Sequence, residues 1–139
     1  MASALYANAK TEFALGNISW KASGGSTIKA ILVDADKYTF SSNHKYLSEV
    51  TSGARVGSPV QLSLIDATNG GVCDANDIAF NNLTNIPTVE AVVLYKDTGN
   101  ESTSPLIAYI DTGTGLPTPA GVNSILVEWD NGSLKIFKL

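Results

Sequence analysis

Residues 89–112 read VEAVVLYKDTGNESTSPLIAYIDT. Val, Ile, Leu and Tyr crowd the two ends of this stretch, while Asp, Thr, Gly, Asn, Ser and Pro fill its middle. That composition predicts two strands, at 89–96 and 106–111, joined by a polar loop from Asp97 to Pro105. Neither arm alternates cleanly between apolar and polar residues. Val92 and Leu94 point one way, and Ala91, Val93 and Tyr95 the other; in the second arm Ile107 opposes Leu106 and Ala108. Apolar side chains on both faces imply a central pair covered on both sides, by a second layer of the same chain or by another subunit.

The rest of the chain is consistent with one domain built around that pair. At 139 residues it fits the size of a single domain, 1–139, large enough to bury about two-thirds of its unfolded surface. It is 44% hydrophobic and only 16% charged, against about 25% charged in an average soluble domain. Mean hydropathy is +0.09, and no apolar run is long enough to span a bilayer. Low charge has two readings: surface hidden in contacts with other chains, or a neutral exterior rich in Ser, Thr, Asn and Gly. The net charge of −4 and the scattering of nine Lys and Arg residues speak against a nucleic-acid surface. The single cysteine, Cys73, excludes an internal disulfide and cannot supply a structural zinc site. The opening MASALYANAK lacks the features of a secretory signal, so synthesis in a reducing cytosol is expected. The Asn-x-Ser/Thr triplets at Asn17, Asn82, Asn100 and Asn131 then carry no weight as glycan sites.

In chain order, 3–15 is the one strong helix candidate, with Ser3 as cap, Gly16 as stop, and Leu5, Ala9 and Phe13 on one stripe. A glycine-bearing turn at 23–26 precedes a strand at 27–33, TIKAILV. A short helical turn is expected at 43–49 behind Ser42, inside an aromatic-rich excursion (Tyr38, Phe40, Tyr46, Leu47) that folds over one end of the sheet. Short strands follow at 55–56 and 60–64, separated by Gly57-Ser58-Pro59, and at 78–80. Turns are expected at Asn69-Gly70-Gly71 and at 74–77, and a loop at 81–87. After the breaker-rich 112–121 segment, strands at 124–129 and 134–139 flank Asp130-Asn131-Gly132, the strongest short hairpin signal in the chain. Many short strands, frequent turns and one terminal helix predict a mainly β protein: an antiparallel, jelly-roll-like β-sandwich with an N-terminal α-helix.

No motif assembles an active site, and the sequence implies no catalytic, cofactor-binding or metal-ligating set. Asp-Thr-Gly occurs twice, at Asp97-Thr98-Gly99 and Asp111-Thr112-Gly113. An aspartic protease places two such carboxylates side by side so that one keeps a proton while the other activates water. The apolar-apolar-Gly segment that should form the floor of that site is missing, and Asp-Thr-Gly is also how a strand runs into a turn. Asp74-Ala75-Asn76-Asp77 lacks the spacing, glycine and closing glutamate of an EF-hand loop. His44, the only histidine, lies in a polar segment with no nucleophile motif and reads as a surface residue. Cys73, beside Val72, reads as a small buried hydrophobe. The pairs Gly24-Gly25 and Gly70-Gly71 precede no helix carrying Lys-Ser or Lys-Thr, so neither is a phosphate loop. Trp20 and Trp129 could form a sugar platform, but packing is the commoner fate of isolated tryptophans.

ALYANAKTEFALGNISW at the start, TIKAILVDADKYTF, the central VVLYKDTGNESTSPLIAYIDTGTGLP and the terminal VEWDNGSLKIFKL together resemble a group of small virion proteins of tailed bacteriophages. The resemblance touches most of the chain and is weakest over 51–87; its motifs are structural rather than chemical. It implies a non-enzymatic particle component: a capsid decoration (cement) protein that binds the outside of the head. The expected partners are the major capsid protein and copies of itself, as a homotrimer, in the virion, with no nucleic acid, membrane or cofactor. The alternative it implies is a tail, fibre or head-spike component with a host-glycan or attachment role, using the 97–105 loop or the aromatics.

Overall fold

The computed structural model describes residues 4–63, 65–112, 114–129, 132 and 135–139. Its elements are β1 (Ala4–Leu5), α1 (Ala7–Ala14), β2 (Ile28–Val33), β3 (Arg55–Gln61), β4 (Asp66–Thr68) and β5 (Val72–Asp74). They continue with β6 (Ile78–Phe80), β7 (Ala91–Lys96), β8 (Leu106–Ile110), β9 (Ile125–Val127) and β10 (Phe137–Lys138). The fold is mainly β, sandwich-like and antiparallel throughout, with one helix near the N-terminus. The main sheet has the order β1-β8-β7-β2-β3, so the strand predicted as central is central. Two small sheets, β10-β5-β4 and β6-β9, complete the strand set. Among the described residues, no helix is long and apolar enough to cross a membrane.

Both faces of the main sheet are covered by the chain itself. Val92 and Leu94 join Ala30, Leu32 and Ile110 in one core, packed with Ile78, Phe80, Ile125, Val127 and Trp129 from the small sheets and their flanks. Ala91, Val93 and Tyr95 join Ile31 and Val33 in the other, beneath Tyr6, Ala9, Tyr38, Leu47, Val50 and Ala54. The irregular pattern of β8 has a physical cause. Leu94 pairs with Ala108 but Tyr95 pairs with Leu106, leaving Ile107 as an extra residue. At such a bulge two consecutive side chains oppose one on the partner. Ile107 and Ala108 accordingly both enter the first core, while Leu106 and Tyr109 enter the second.

Several expectations are corrected. The 3–15 helix is shorter: Ala4 and Leu5 pair with Tyr109 and Ala108 as a sheet-edge strand, and the helix begins only at Ala7. Ser3 lies outside the described residues; the residue at the cap position is Tyr6, whose side chain is buried instead of capping. The stop at Gly16 holds, with φ +79° and the paired bonds of a Schellman motif, Gly16 N–H to Phe13 O (3.1 Å) and Asn17 N–H to Glu12 O (2.9 Å). The Leu5–Ala9–Phe13 stripe is divided between two cores, Ala9 in one and Leu5 and Phe13 against the other.

The helical turn expected at 43–49 is split into a turn at 41–44, closed by His44 N–H to Ser41 O (3.0 Å), and a 3-10 turn at Leu47–Glu49, with Tyr46 extended between them where it bridges to Pro105. Its aromatic surroundings cover a face of the sheet, not an end. The two strands expected around Gly57-Ser58-Pro59 are one strand, β3. Ala30 pairs with Val60 and Leu32 with Val56, so β3 bulges outward where Gly57 (φ +70°) and Pro59 stand exposed on the sheet edge. Leu64 lies outside the described residues. Asn69-Gly70-Gly71 is the turn expected, and it joins β4 to β5. Asp74 closes β5 instead of opening a turn. The hairpin expected around Asp130-Asn131-Gly132 does not pair its own arms: β9 pairs with β6 and β10 with β5. Asp130, Asn131 and Leu134 lie outside the described residues.

Candidate contact loop and titratable clusters

The 97–105 loop is fixed in shape by its own sequence. Asp97 Oδ1 accepts from Gly99 N–H (2.9 Å), and Asn100 Oδ1 accepts from the N–H (2.9 Å) and hydroxyl (2.7 Å) of Ser102. The Thr98 and Thr103 hydroxyls meet at 2.6 Å. Ser104, buried beneath them, donates from its hydroxyl to Asn100 O (2.8 Å) and accepts from Thr98 N–H (3.1 Å). These are the local bonds that Asp, Asn, Ser and Thr offer a turning backbone. Longer ties anchor the loop: Leu47 N–H donates to Ser104 O (2.9 Å) and Ser48 N–H to Glu101 O (3.1 Å).

Its two carboxylates are matched within the chain. Lys29 of β2 pairs with Asp97 at 2.7 Å, and Arg55 of β3 pairs with Glu101 at 2.9 Å. Arg55 also donates to Val50 O (2.7 Å) and Leu47 O (2.9 Å), which sets its guanidinium in place. The Lys29 hydrogen bond, then that of Gly99 N–H, hold the Asp97 carboxyl below the usual range; Arg55 does the same for Glu101. The exposed face that remains, 98–103, offers mainly hydroxyl and amide groups.

Asp97→Asn keeps an acceptor for Gly99 and removes the charge. Its expected cost at neutral pH is below about 1 kcal/mol, because a partly exposed pair is screened. A carboxyl with a depressed folded-state value stabilises above the usual carboxylate range and loses that contribution as pH falls through the depressed value. The stability gap between wild type and Asp97→Asn, read from urea midpoints, should therefore be present at pH 7 and close in strong acid.

The aspartates of the two Asp-Thr-Gly segments do not meet; Gly113 lies outside the described residues. Ile110 pairs with Val92, which sets Asp111 next to the Ala91 end of β7, while Asp97 follows the other end of that strand, six residues from Ala91. The separation is about 20 Å at the rise of a β-strand, so these two aspartates form no dyad within one chain. A different acidic cluster has no counterpart in the residue spacing: Asp34, Asp36 and Glu90 bring carboxylate oxygens within 4.8 Å of one another. Only the pairing of Val33 with Ala91 brings them together. Three hard oxygens suit calcium or magnesium chemistry, but two of these carboxylates also serve the backbone, Glu90 Oε2 accepting from Ala35 N–H (2.8 Å) and Asp34 Oδ1 from Asp36 N–H (3.0 Å).

Asp77 and Asn76 tie down the end of β9: Asp77 Oδ1 accepts from Trp129 N–H (2.8 Å) and Asn76 O from the Trp129 indole (2.8 Å). Both tryptophans are buried, so neither forms a sugar platform. Burial pushes the Cys73 thiol up to about 11, which leaves it a protonated core residue at neutral pH. His44 is half-buried, not a free surface group; its Nδ1 lies 2.8 Å from the Tyr38 hydroxyl.

Comparison with known proteins adds no family to this geometry: no protein-family model matches the chain, and no curated protein matches it.

Proposed function

We propose that this protein is a structural component of a tailed-bacteriophage particle, a cement protein that binds the outer surface of the head as a homotrimer and stabilises it. The observation that carries this reading is the 97–105 loop: exposed over 98–103, internally hydrogen-bonded, and with its charges already matched. Such a surface loses little conformational freedom on docking, so modest contacts are enough for binding. The segments resembling small phage virion proteins, the low charge and the exposed Leu15, Leu126 and Leu139 support the same role. A protein that binds only the assembled shell lowers that state's free energy by mass action.

The test is to prepare particles without this protein and heat them. They should release their genome at a lower temperature than complete particles, and added protein should restore the difference. Unchanged shell stability would remove the proposal. Specific glycan-array hits lost on Tyr46→Ala, the exposed aromatic bridged to Pro105, would favour an attachment role instead.

A further inference from the structure

The turn between β4 and β5 sets an asparagine side chain next to an unhindered backbone nitrogen. Thr68 O accepts from Gly71 N–H (3.1 Å), which closes the turn with Asn69 and Gly70 at its two central positions. Both of these residues are exposed. Gly70 stands at φ +93°, where a side chain would be strained, and having none it leaves its own nitrogen open to close approach. Among the described residues, that N–H enters none of the backbone hydrogen bonds, and the Asn69 amide is not held by a partner.

Several other asparagines lack this combination. Asn100 Oδ1 is held by the N–H (2.9 Å) and hydroxyl (2.7 Å) of Ser102. The nitrogens that follow Asn17, Asn43 and Asn82 are tied to Glu12 O (3.3 Å), Ser41 O (3.0 Å) and Asn123 O (2.9 Å). Asn85 precedes Ile86, whose branched side chain crowds the neighbouring nitrogen. Asn131-Gly132 repeats the residue pair, but Asn131 lies outside the described residues.

We propose that Asn69 is a site of spontaneous deamidation, and that its isoaspartyl product loosens the pairing of β10 with β5. Base removes the Gly70 amide proton, and the nitrogen attacks Asn69 Cγ. A C–N bond forms, the Cγ–Nδ2 bond breaks, and Nδ2 leaves as ammonia carrying a proton. The cyclic imide then takes up one water. Opening at the side-chain carbonyl gives aspartate at position 69 with the ordinary linkage. Opening at the main-chain carbonyl gives isoaspartate, whose backbone runs through the former side chain and is one carbon longer. Either product adds a negative charge, and nothing is oxidised or reduced.

The extra carbon falls where the turn is closely fitted. Gly71 O accepts from Leu139 N–H (2.9 Å), and a Cβ on Gly71 would lie 3.2 Å from that of Leu139. Beyond it, Val72 pairs with Lys138 and Cys73 with Phe137, and Cys73 O accepts from Ile136 N–H (3.1 Å). A lengthened turn displaces Gly71 from Leu139, so the bonds that hold 136–139 open more often.

The test ages the full chain at mildly alkaline pH under conditions where it stays folded. Its tryptic peptides are then mapped by mass spectrometry, with fragmentation that separates aspartate from isoaspartate. In the 56–96 peptide a gain of one mass unit should build up at Asn69 ahead of Asn76, Asn81, Asn82 and Asn85. The 97–135 peptide, which carries Asn131, is read separately. Asn69→Gln should stay unchanged at that position, because the longer side chain closes its larger ring far more slowly. Hydrogen exchange at Ile136 and Leu139 should be faster in aged than in fresh wild type, with no such change in Asn69→Gln. Asn69→Asp adds the charge without lengthening the backbone and should exchange like fresh wild type. An Asn69 that stays intact, or converts no faster than the other four, would overturn the site. Exchange at 136–139 that isoaspartate leaves unmoved, or that Asn69→Asp moves equally, would overturn the loosening of β10.

Discussion

Val93→Ala and Leu94→Ala should each destabilise the isolated chain, by about 2 and about 3 kcal/mol respectively, although the two side chains leave β7 in opposite directions. Both residues are fully buried, Leu94 in the core shared with the small sheets and Val93 in the core beneath Tyr6, Val50 and Ala54. Truncation removes apolar contact and leaves a cavity that the surroundings only partly fill. A core position on a central strand has little freedom to collapse. A domain of this size typically has 5–15 kcal/mol of net stability, about the scale on which either loss is readily measured. Urea midpoints with an unchanged slope would report it. The pair also asks whether this chain alone covers both faces. If Val93→Ala were neutral in the isolated chain, the second face would have to be completed by another molecule, contrary to the packing described above.

Trp20→Ala should cost about 3–5 kcal/mol and Trp20→Phe about 1–2 kcal/mol. Trp20 follows α1 and its loop, and its indole N–H is shared between Asp66 O (2.9 Å) and Asp74 O (3.1 Å), which lie opposite each other on β4 and β5. The ring meets Phe137 of β10 edge-on, with centroids 5.0 Å apart. One side chain therefore holds the three strands of a small sheet to the main core. Alanine removes the ring and the donor together; phenylalanine keeps most of the ring and leaves the two carbonyls without it. Equilibrium unfolding followed by far-UV circular dichroism measures both losses. Equal effects from the two substitutions would mean that the hydrogen bonds carry the contribution and the ring packing does not.

Parts of this architecture were visible in the residues themselves, because burial on both faces leaves a local mark. The mixed pattern of Ala91, Val92, Val93, Leu94 and Tyr95 marks a strand covered on both sides, and Gly16 marks the end of a helix. Other parts carry no local mark. β4, Asp-Ala-Thr, is exposed along its length and has no apolar face to betray it. β1 is hidden because Ala4 and Leu5 are good helix formers, and only their pairing with β8 makes them a strand. Asp130-Asn131-Gly132 is a strong local hairpin signal, but tertiary pairing sends its flanking strands to β6 and β5. The 97–105 loop divides in the same way. Its polar composition was evident in the sequence, whereas its anchoring by Lys29 and Arg55 depends on strand neighbours 68 and 46 residues away in the chain. For the same reason, the approach of Glu90 to Asp34 could not be read from spacing.

The outward bulge of β3 limits how molecules of this protein can associate. Among the described residues, one border of the large sheet carries Gly57 and Pro59, and the other carries the two residues of β1. Neither border offers a long, regular row of free amide and carbonyl groups on which a neighbour's backbone could continue the sheet. Crowded copies are thus steered toward contacts made by side chains and loops, which close and reopen, and away from fibre growth.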